Sequence, residues 1–210
     1  MDFVSFLSRI SQIKEQPLGG ESSQFKMAPR LRLKYSKAQI EANKPRDSAV
    51  LVLFYPDSDY NTHILLTLRS AYKGIHGSQI SFPGGKMDKE DGILKETALR
   101  EAQEEVGISK NDVRLIRPIS KTYIPPSNFW VQPYLGYVEK TPVFVINYEV
   151  EKIIPLPLEK LLNKELITTQ LVTTSYLKQK QVPCYKINEH VIWGATAMIL
   201  SEVVDLILLN

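Results

Sequence analysis

The strongest constraint on the fold of this chain lies between Gly84 and Ile108, where it reads GGKMDKEDGILKETALREAQEEVGI. Pro83, Gly84 and Gly85 stop the short apolar run before them. From Leu94 to Val106 the residues are strong helix formers, and Gly107 stands where a left-handed C-cap belongs. At 3.6 residues per turn, Glu101, Glu104 and Glu105 fall at i, i+3 and i+4 and share an arc of roughly 100° on one helix face. Ala98, Leu99, Ala102 and Val106 cover a different arc and are suited to burial against a sheet. Three like charges this close repel, and acids near a helix C-terminus oppose the macrodipole, so the helix loses stability unless a cation neutralises them.

Carboxylate oxygens are hard ligands for Mg²⁺ or Mn²⁺, and an ion held this way keeps waters and accepts phosphate oxygens. It would neutralise charge developing on a phosphoryl group and lower the pKa of a bound water. Arg100, beside the acids, is placed to orient a carboxylate through a bidentate pair. Taken singly, these features have plainer readings: a solvated acidic face for the glutamates, and a tight bend for Gly84 and Gly85.

The rest of the chain supplies the sheet. Ala49 to Tyr55 and His63 to Arg69 read as buried strands joined through the turn-prone Pro56 to Asp59, and Gln79 to Phe82 as a short strand. Val113–Ile119, Trp130–Val138, Leu166–Thr174 and Val182–Ile187 read as further strands, with helices over Leu158–Leu162 and about Ala195–Leu208. This irregular order predicts a mixed α/β or α+β fold instead of repeated βαβ units. Phe3, Phe6, Leu7, Ile10 and Ile13 recur at helical spacing, which predicts one amphipathic helix over residues 2 to about 15, ended by Pro17. Residues 1–47 thus read as a helix and arm packing on a main domain of residues 48–210, with a homodimer contact or a membrane-surface helix as the open alternative uses of the helix.

Composition narrows the function classes. With 210 residues, 43% of them apolar, the chain can build a core without disulfides or a structural metal. Its 26 Lys and Arg against 23 Asp and Glu are scattered, which argues against a nucleic-acid reader. Apolar runs such as Ala49–Tyr55 and Val191–Leu200 fall short of the roughly 18 to 20 residues that span a bilayer, so no membrane partner is expected. Cys184 is the only cysteine, which excludes an internal disulfide and a C-x-x-C site. With no basic, apolar leader at the start, the expected location is the cytoplasm.

The whole spacing says more than its parts. Gly85, Arg100, Glu101, Ala102, Glu104, Glu105, Gly107 and Ile108 resemble the Nudix box, whose helical half R-E-u-x-E-E-x-G-u, with u apolar, is complete here. Asp91 stands where a glutamate is usual, and one extra residue separates it from Arg100. The same longer loop, with Asp at the positions of Asp88 and Asp91, is found in the coenzyme A diphosphatase subfamily. An upstream signature of that subfamily is matched by Leu65, Leu66, Thr67, Arg69, Ser70, Phe82, Pro83, Gly84 and Gly85, and departed from at Gly74 and Ser78. Met27, Ala28 and Pro29, with Ile192, Trp193, Gly194 and Thr196, also look like this subfamily.

The resemblance implies a Nudix α/β/α sandwich with a mixed sheet that hydrolyses a diphosphate linked to a nucleoside, using Mg²⁺ or Mn²⁺. It implies Glu101, Glu104 and Glu105 as metal ligands, with Arg100 beside them in the catalytic set. Arg69, Phe82, Gly84 and Gly85 become the substrate-binding residues, Arg69 as a positive fork and the glycines through their N–H groups. The implied substrate is coenzyme A or acyl-CoA, cleaved to 4′-phosphopantetheine or its acyl form and adenosine 3′,5′-bisphosphate. ADP-ribose, NADH or dinucleoside polyphosphates are the alternative, and a non-catalytic ligand sensor a further one. Tyr123, Pro125, Pro126, Asn128, Phe129 and Trp130 form a loop suited to wall an adenine or pantetheine pocket. His63, His76 and His190 lack metal-ligand spacing. The general base is left open among the box glutamates and Glu149, Glu151 and Glu189.

Overall fold

The computed structural model describes residues 1–71, 77–163, 166–174 and 178–208; Lys73, Gly74 and His76 lie outside them. Strand β1 (Arg46–Pro56) is the axis of the molecule. It pairs antiparallel with β2 (Thr62–Arg69), Phe54 opposite Ile64, and parallel with β7 (Phe129–Tyr137), from Arg46 opposite Phe129 to Phe54 opposite Tyr137. β3 (Ile80–Ser81) and β5 (Arg114–Pro118) extend the sheet in the order β3-β2-β1-β7-β5. β4 (Gly84–Lys86) joins β1, β6 (Thr122–Ile124) joins β7, and β8 (Val150–Pro157) joins β2. A separate sheet holds β9 (Ile167–Val172), β10 (Lys180–Ile187) and β11 (His190–Trp193).

Because side chains alternate along a strand, the two faces of β1 feed two cores. Leu51, Leu53 and Tyr55 pack with Ala98, Ala102 and Val106 of α5 (Leu94–Val106). Val52 and Phe54 pack with Phe3, Phe6 and the apolar side of α7 (Gly194–Leu208), including Ile199, Val203 and Leu206. Helices thus cover both faces of a mixed sheet, the α/β/α sandwich expected. No helix among the described residues is long and apolar enough to cross a membrane.

The amino-terminal helix is two helices, α1 (Phe3–Ser8) and α2 (Ile10–Glu15). Asp2 caps the first by accepting the Ser5 N–H, and the chain tightens at Arg9, whose N–H reaches Phe6 O. The bend lets Phe6 stack on Phe54 at 4.5 Å between ring centroids while Ile13 of α2 also enters the core. Beyond it lie α3 (Gly20–Gln24), α4 (Lys37–Ala42) and two 3-10 turns, Phe25–Met27 and Arg32–Lys34. The sequence reading assigned no strand to residues 150–157, which contain Pro155 and Pro157. β8 pairs only with β2, and such an edge tolerates prolines because their missing N–H faces away from the ladder. α6 (Leu158–Leu162) follows at once.

Candidate active site

The site forms where β4 and the end of β2 meet the acidic face of α5. Gly84 lies so close to β1 that a Cβ there would collide with the Ala49 carbonyl and the Val50 backbone. A Cβ on Gly85 would overlap the carboxylate of Glu101. The two glycines therefore bring backbone and carboxylates into contact. Gly84 N–H donates to Glu105 Oε2 at 3.2 Å, and Arg69 Nη1 donates to Glu105 Oε1 at 3.2 Å. Arg69 Nη2 reaches Glu149 Oε2 at 3.4 Å, so one guanidinium bridges the helix and the residue just before β8.

Glu105 is 2% exposed. Burial pushes its carboxyl up to about 7, against the pull of Arg69 and the Gly84 amide and with further upward push from Glu101 and Glu149. Burial also raises Glu101, Arg100 opposes it, and Glu104 and Glu149 add to it. Glu104 is more than half exposed and turns to Arg100 Nη1, 3.1 Å away.

Arg100 is the hub of the helix acids. It holds Asp91 in a bidentate pair, Nε to Oδ1 at 2.8 Å and Nη2 to Oδ2 at 3.0 Å, and also reaches Glu101 Oε1 at 3.0 Å and Asp88 Oδ2 at 3.5 Å. Asp91 is buried and accepts the Asp88 N–H and the Thr97 hydroxyl, which folds the loop back onto the helix. The Arg100 guanidinium holds its carboxyl well below the usual carboxylate range. Asp91 thus fastens the loop and the arginine, while Glu101 and Glu105 face the glycines.

Among the described residues no three His, Cys, Asp or Glu side chains close on one point in a ligating arrangement. Arg69 and Arg100 supply the positive charge that the glutamates need. The donor chemistry still fits a hard divalent ion: Glu105 is buried and Glu101 half-buried, the two repel each other and also feel Glu149, and desolvation disfavours their ionised form. Of the distant acids considered as base, Glu149 is beside the site, whereas Glu189 pairs with His190 and Glu151 is exposed on β8.

A cleft of about 280 Å³ opens beside Arg69, Gly84, Gly85 and Lys86. Tyr123, Pro125, Pro126 and Phe129 line it as the loop reading expects. Asn128 and Trp130 do not: Asn128 takes a positive φ of 53° and hydrogen-bonds Tyr123, and Trp130 packs on the Tyr123 ring. Phe82 is a core residue, 2% exposed, that also borders the cleft. The sequence reading missed the arm as a wall: Pro29, Leu31 and Arg32 line the cleft together with Trp193 and Met198. Its one available signal was the similarity over Met27, Ala28 and Pro29.

Comparison with known proteins gives the family and the fold. A family model described as NUDIX domain matches residues 44–174. The chain is 31% identical over 169 residues to the peroxisomal coenzyme A diphosphatase ndx-8 of Caenorhabditis elegans, covering 79% of this chain and 70% of that protein. It is 33% identical to an uncharacterized Nudix hydrolase, NudL, of Pectobacterium atrosepticum, covering 76% of this chain and 82% of the relative. The crystal structure of a MutT/nudix family protein from Enterococcus faecalis superposes with a TM-score of 0.50 at 14% identity, over 80% of this chain and 68% of that one, which speaks to the fold alone.

Proposed function

We propose, from the premise that this chain belongs to the NUDIX family and is a pyrophosphohydrolase acting on a diphosphate linkage, that its substrate is coenzyme A or acyl-CoA. The products are 4′-phosphopantetheine, or its acyl form, and adenosine 3′,5′-bisphosphate. The observation that carries this reading is the meeting of Arg69 and the Gly84 amide on Glu105 at the mouth of an aromatic-walled cleft. Similarity to a relative named as a coenzyme A diphosphatase supports it.

Nudix hydrolases generally need divalent metal ions, and here Glu101, Glu104 and Glu105 would hold Mg²⁺ or Mn²⁺. Such an ion neutralises charge on the diphosphate and lowers the pKa of a bound water. The remaining work belongs to the chain's own groups. Arg69 orients the diphosphate oxygens, and the Gly84 N–H holds Glu105 in place, with Gly85 leaving room for Glu101 beside them. Arg100, locked by Asp91, holds Glu101 and Glu104 at the helix surface. Glu149 takes the proton from the attacking water. Residues 1–47 act as an arm that completes the cleft of the domain at 48–210, and the single buried cysteine suits a reducing compartment, the cytoplasm.

The test is turnover of coenzyme A by purified protein with Mg²⁺ or Mn²⁺, with products resolved by chromatography. Glu104→Gln and Glu105→Gln should each lower kcat by about 10² or more. Unchanged turnover in both variants removes the metal-site assignment. Larger specificity constants for ADP-ribose, NADH or a dinucleoside polyphosphate would move the substrate while keeping the reaction.

A further inference from the structure

The cleft is lined by a second arginine that the reaction does not use. Arg32 opens the 3-10 turn Arg32–Lys34 of the arm and lines the cleft, yet its side chain is 5% exposed. Its guanidinium lies over the rings of Phe25, at 4.9 Å, and Tyr123, at 5.9 Å. Its carboxylate partner is Glu21 at 3.2 Å, itself 70% exposed, and Nη1 reaches the Tyr35 carbonyl at a long 3.4 Å. A buried cation whose counter-charge sits in water is poorly neutralised.

A second observation falls in the same place. Among the described residues, Arg32 Nε, Ser127 Oγ and Thr62 Oγ1 are the buried side-chain polar atoms without a hydrogen-bond partner, and Arg32 and Ser127 both line this cleft. Buried polar groups are normally paired, so two orphans around one cavity call for a ligand. Arg69, the other arginine lining the cleft, is held by Glu105 and Glu149.

We propose that Arg32 and Ser127 form a second anion subsite, which takes a phosphate monoester that the substrate carries away from its diphosphate. Arg32 offers a planar fork that matches phosphate oxygens, Ser127 a hydroxyl donor, and Tyr123 and Phe129 of the same lining accommodate the nucleoside. Arg32 lies on the arm, outside the matched domain at 44–174, and Ser127 within it. The subsite rests on reading the cleft as a nucleoside diphosphate site and adds the requirement for a second phosphate.

Binding decides the matter without turnover. Calorimetry with adenosine 3′,5′-bisphosphate and with AMP, Mg²⁺ present in both, should show wild type preferring the bisphosphate. Arg32→Gln should shrink that preference by about 10- to 100-fold, the worth of a charge-assisted hydrogen bond. The ratio of kcat/KM for coenzyme A to that for 3′-dephospho-coenzyme A should fall by the same factor. Equal affinities in wild type, or equal weakening of both ligands in Arg32→Gln, overturns the subsite. Should Arg32→Gln fail to fold, Glu21→Gln decides: removing the exposed competitor should raise the preference about two- to fivefold, and an unchanged preference overturns the proposal. Failure to hydrolyse coenzyme A with the Arg32-dependent preference intact would sink the substrate reading and leave the subsite standing.

Discussion

Glu105 shows how one residue couples the site to stability. Its carboxyl sits at about 7 in the folded chain against an ordinary value of 4.5, with burial as the leading cause. Between those values the folded state binds more protons than the unfolded one, so stability is fully present below pH 4.5 and falls as pH rises toward 7. We expect metal-free protein to lose on the order of 1–3 kcal/mol between pH 5 and 8 in urea titrations, and Glu105→Gln to remove most of that slope. A slope identical in the variant would mean that Glu105 is not the responsible group. Asp91 acts in the opposite direction, since Arg100 lowers it and it accepts from Asp88 N–H and Thr97 as well. Asp91→Ala should destabilise by about 3 kcal/mol and lower kcat by releasing Arg100, whereas Asp91→Asn, able to keep one acceptor, should do less on both counts. The glutamate face of α5 was legible in the sequence because helical spacing is local. The pairing of Arg69 with Glu105 and Glu149 was not, because those partners lie 36 and 80 positions away, and neither was the place of Arg32 in the cleft wall, where it meets Tyr123 from a distant segment.

At the scale of elements, legibility followed how much of the signal lay inside the element itself. α5 and α6 were read to the residue: the first ends at Gly107, left-handed at φ 75°, and the second starts directly after Pro157. β4, β6, β8 and β11 were missed, because β4, β6 and β11 are three or four residues long and exist only through their pairing, and β8 carries prolines. The single helix expected at the amino terminus is two because apolar spacing does not report a bend that tertiary packing rewards. What secures α2 is a residue no spacing would single out. Arg117 of β5 donates through Nη1 to the carbonyls of Ile13, Lys14 and Gln16, at 3.1, 2.8 and 2.7 Å, capping the last turn from outside. Arg117→Leu should therefore loosen α1 and α2 without unfolding the sheet. Hydrogen exchange over residues 3–15 should accelerate by about 10- to 100-fold while α5 stays protected, because bonds to a charged donor contribute about 1.5–3 kcal/mol. Equal acceleration in both helices would show that the amino terminus and the sheet open as one unit.

Across the whole molecule, the arm, α7 and the β5–β6 connection meet on one buried carboxylate. Glu202 is 0% exposed and accepts from Gly20 N–H at 3.0 Å, Gln24 Nε2 at 2.9 Å and Ser120 Oγ at 2.6 Å. Gln24 extends the network by donating to the Ser120 carbonyl and accepting from Thr122, while Ser201 donates to the Ser23 carbonyl and Lys26 pairs with Asp205 at 2.6 Å. Glu202→Ala would remove the shared acceptor of three donors, leaving the Gly20 N–H and Ser120 hydroxyl without it and Gln24 with only the Ser120 carbonyl, at a cost of about 3–5 kcal/mol. For a chain this long that lowers Tm by roughly 6–20 °C, given about 2–4 °C per kcal/mol. The same network sets the position of Pro29, Leu31 and Arg32, which wall the cleft only a few residues beyond α3. Global stability and substrate binding should then separate in a graded series. Glu202→Gln keeps one acceptor oxygen but turns an amide N–H₂ toward a donor, so it should fall between wild type and Glu202→Ala in Tm. At temperatures where all three remain folded, KM for the substrate should rise in the same order while kcat changes little, because α5, which carries the glutamates, packs on the opposite face of β1 from α7 and the arm. A fall in kcat at constant KM would mean that the arm reaches the reacting groups directly, and the division of the molecule into a catalytic helix and a substrate-walling arm would have to be given up.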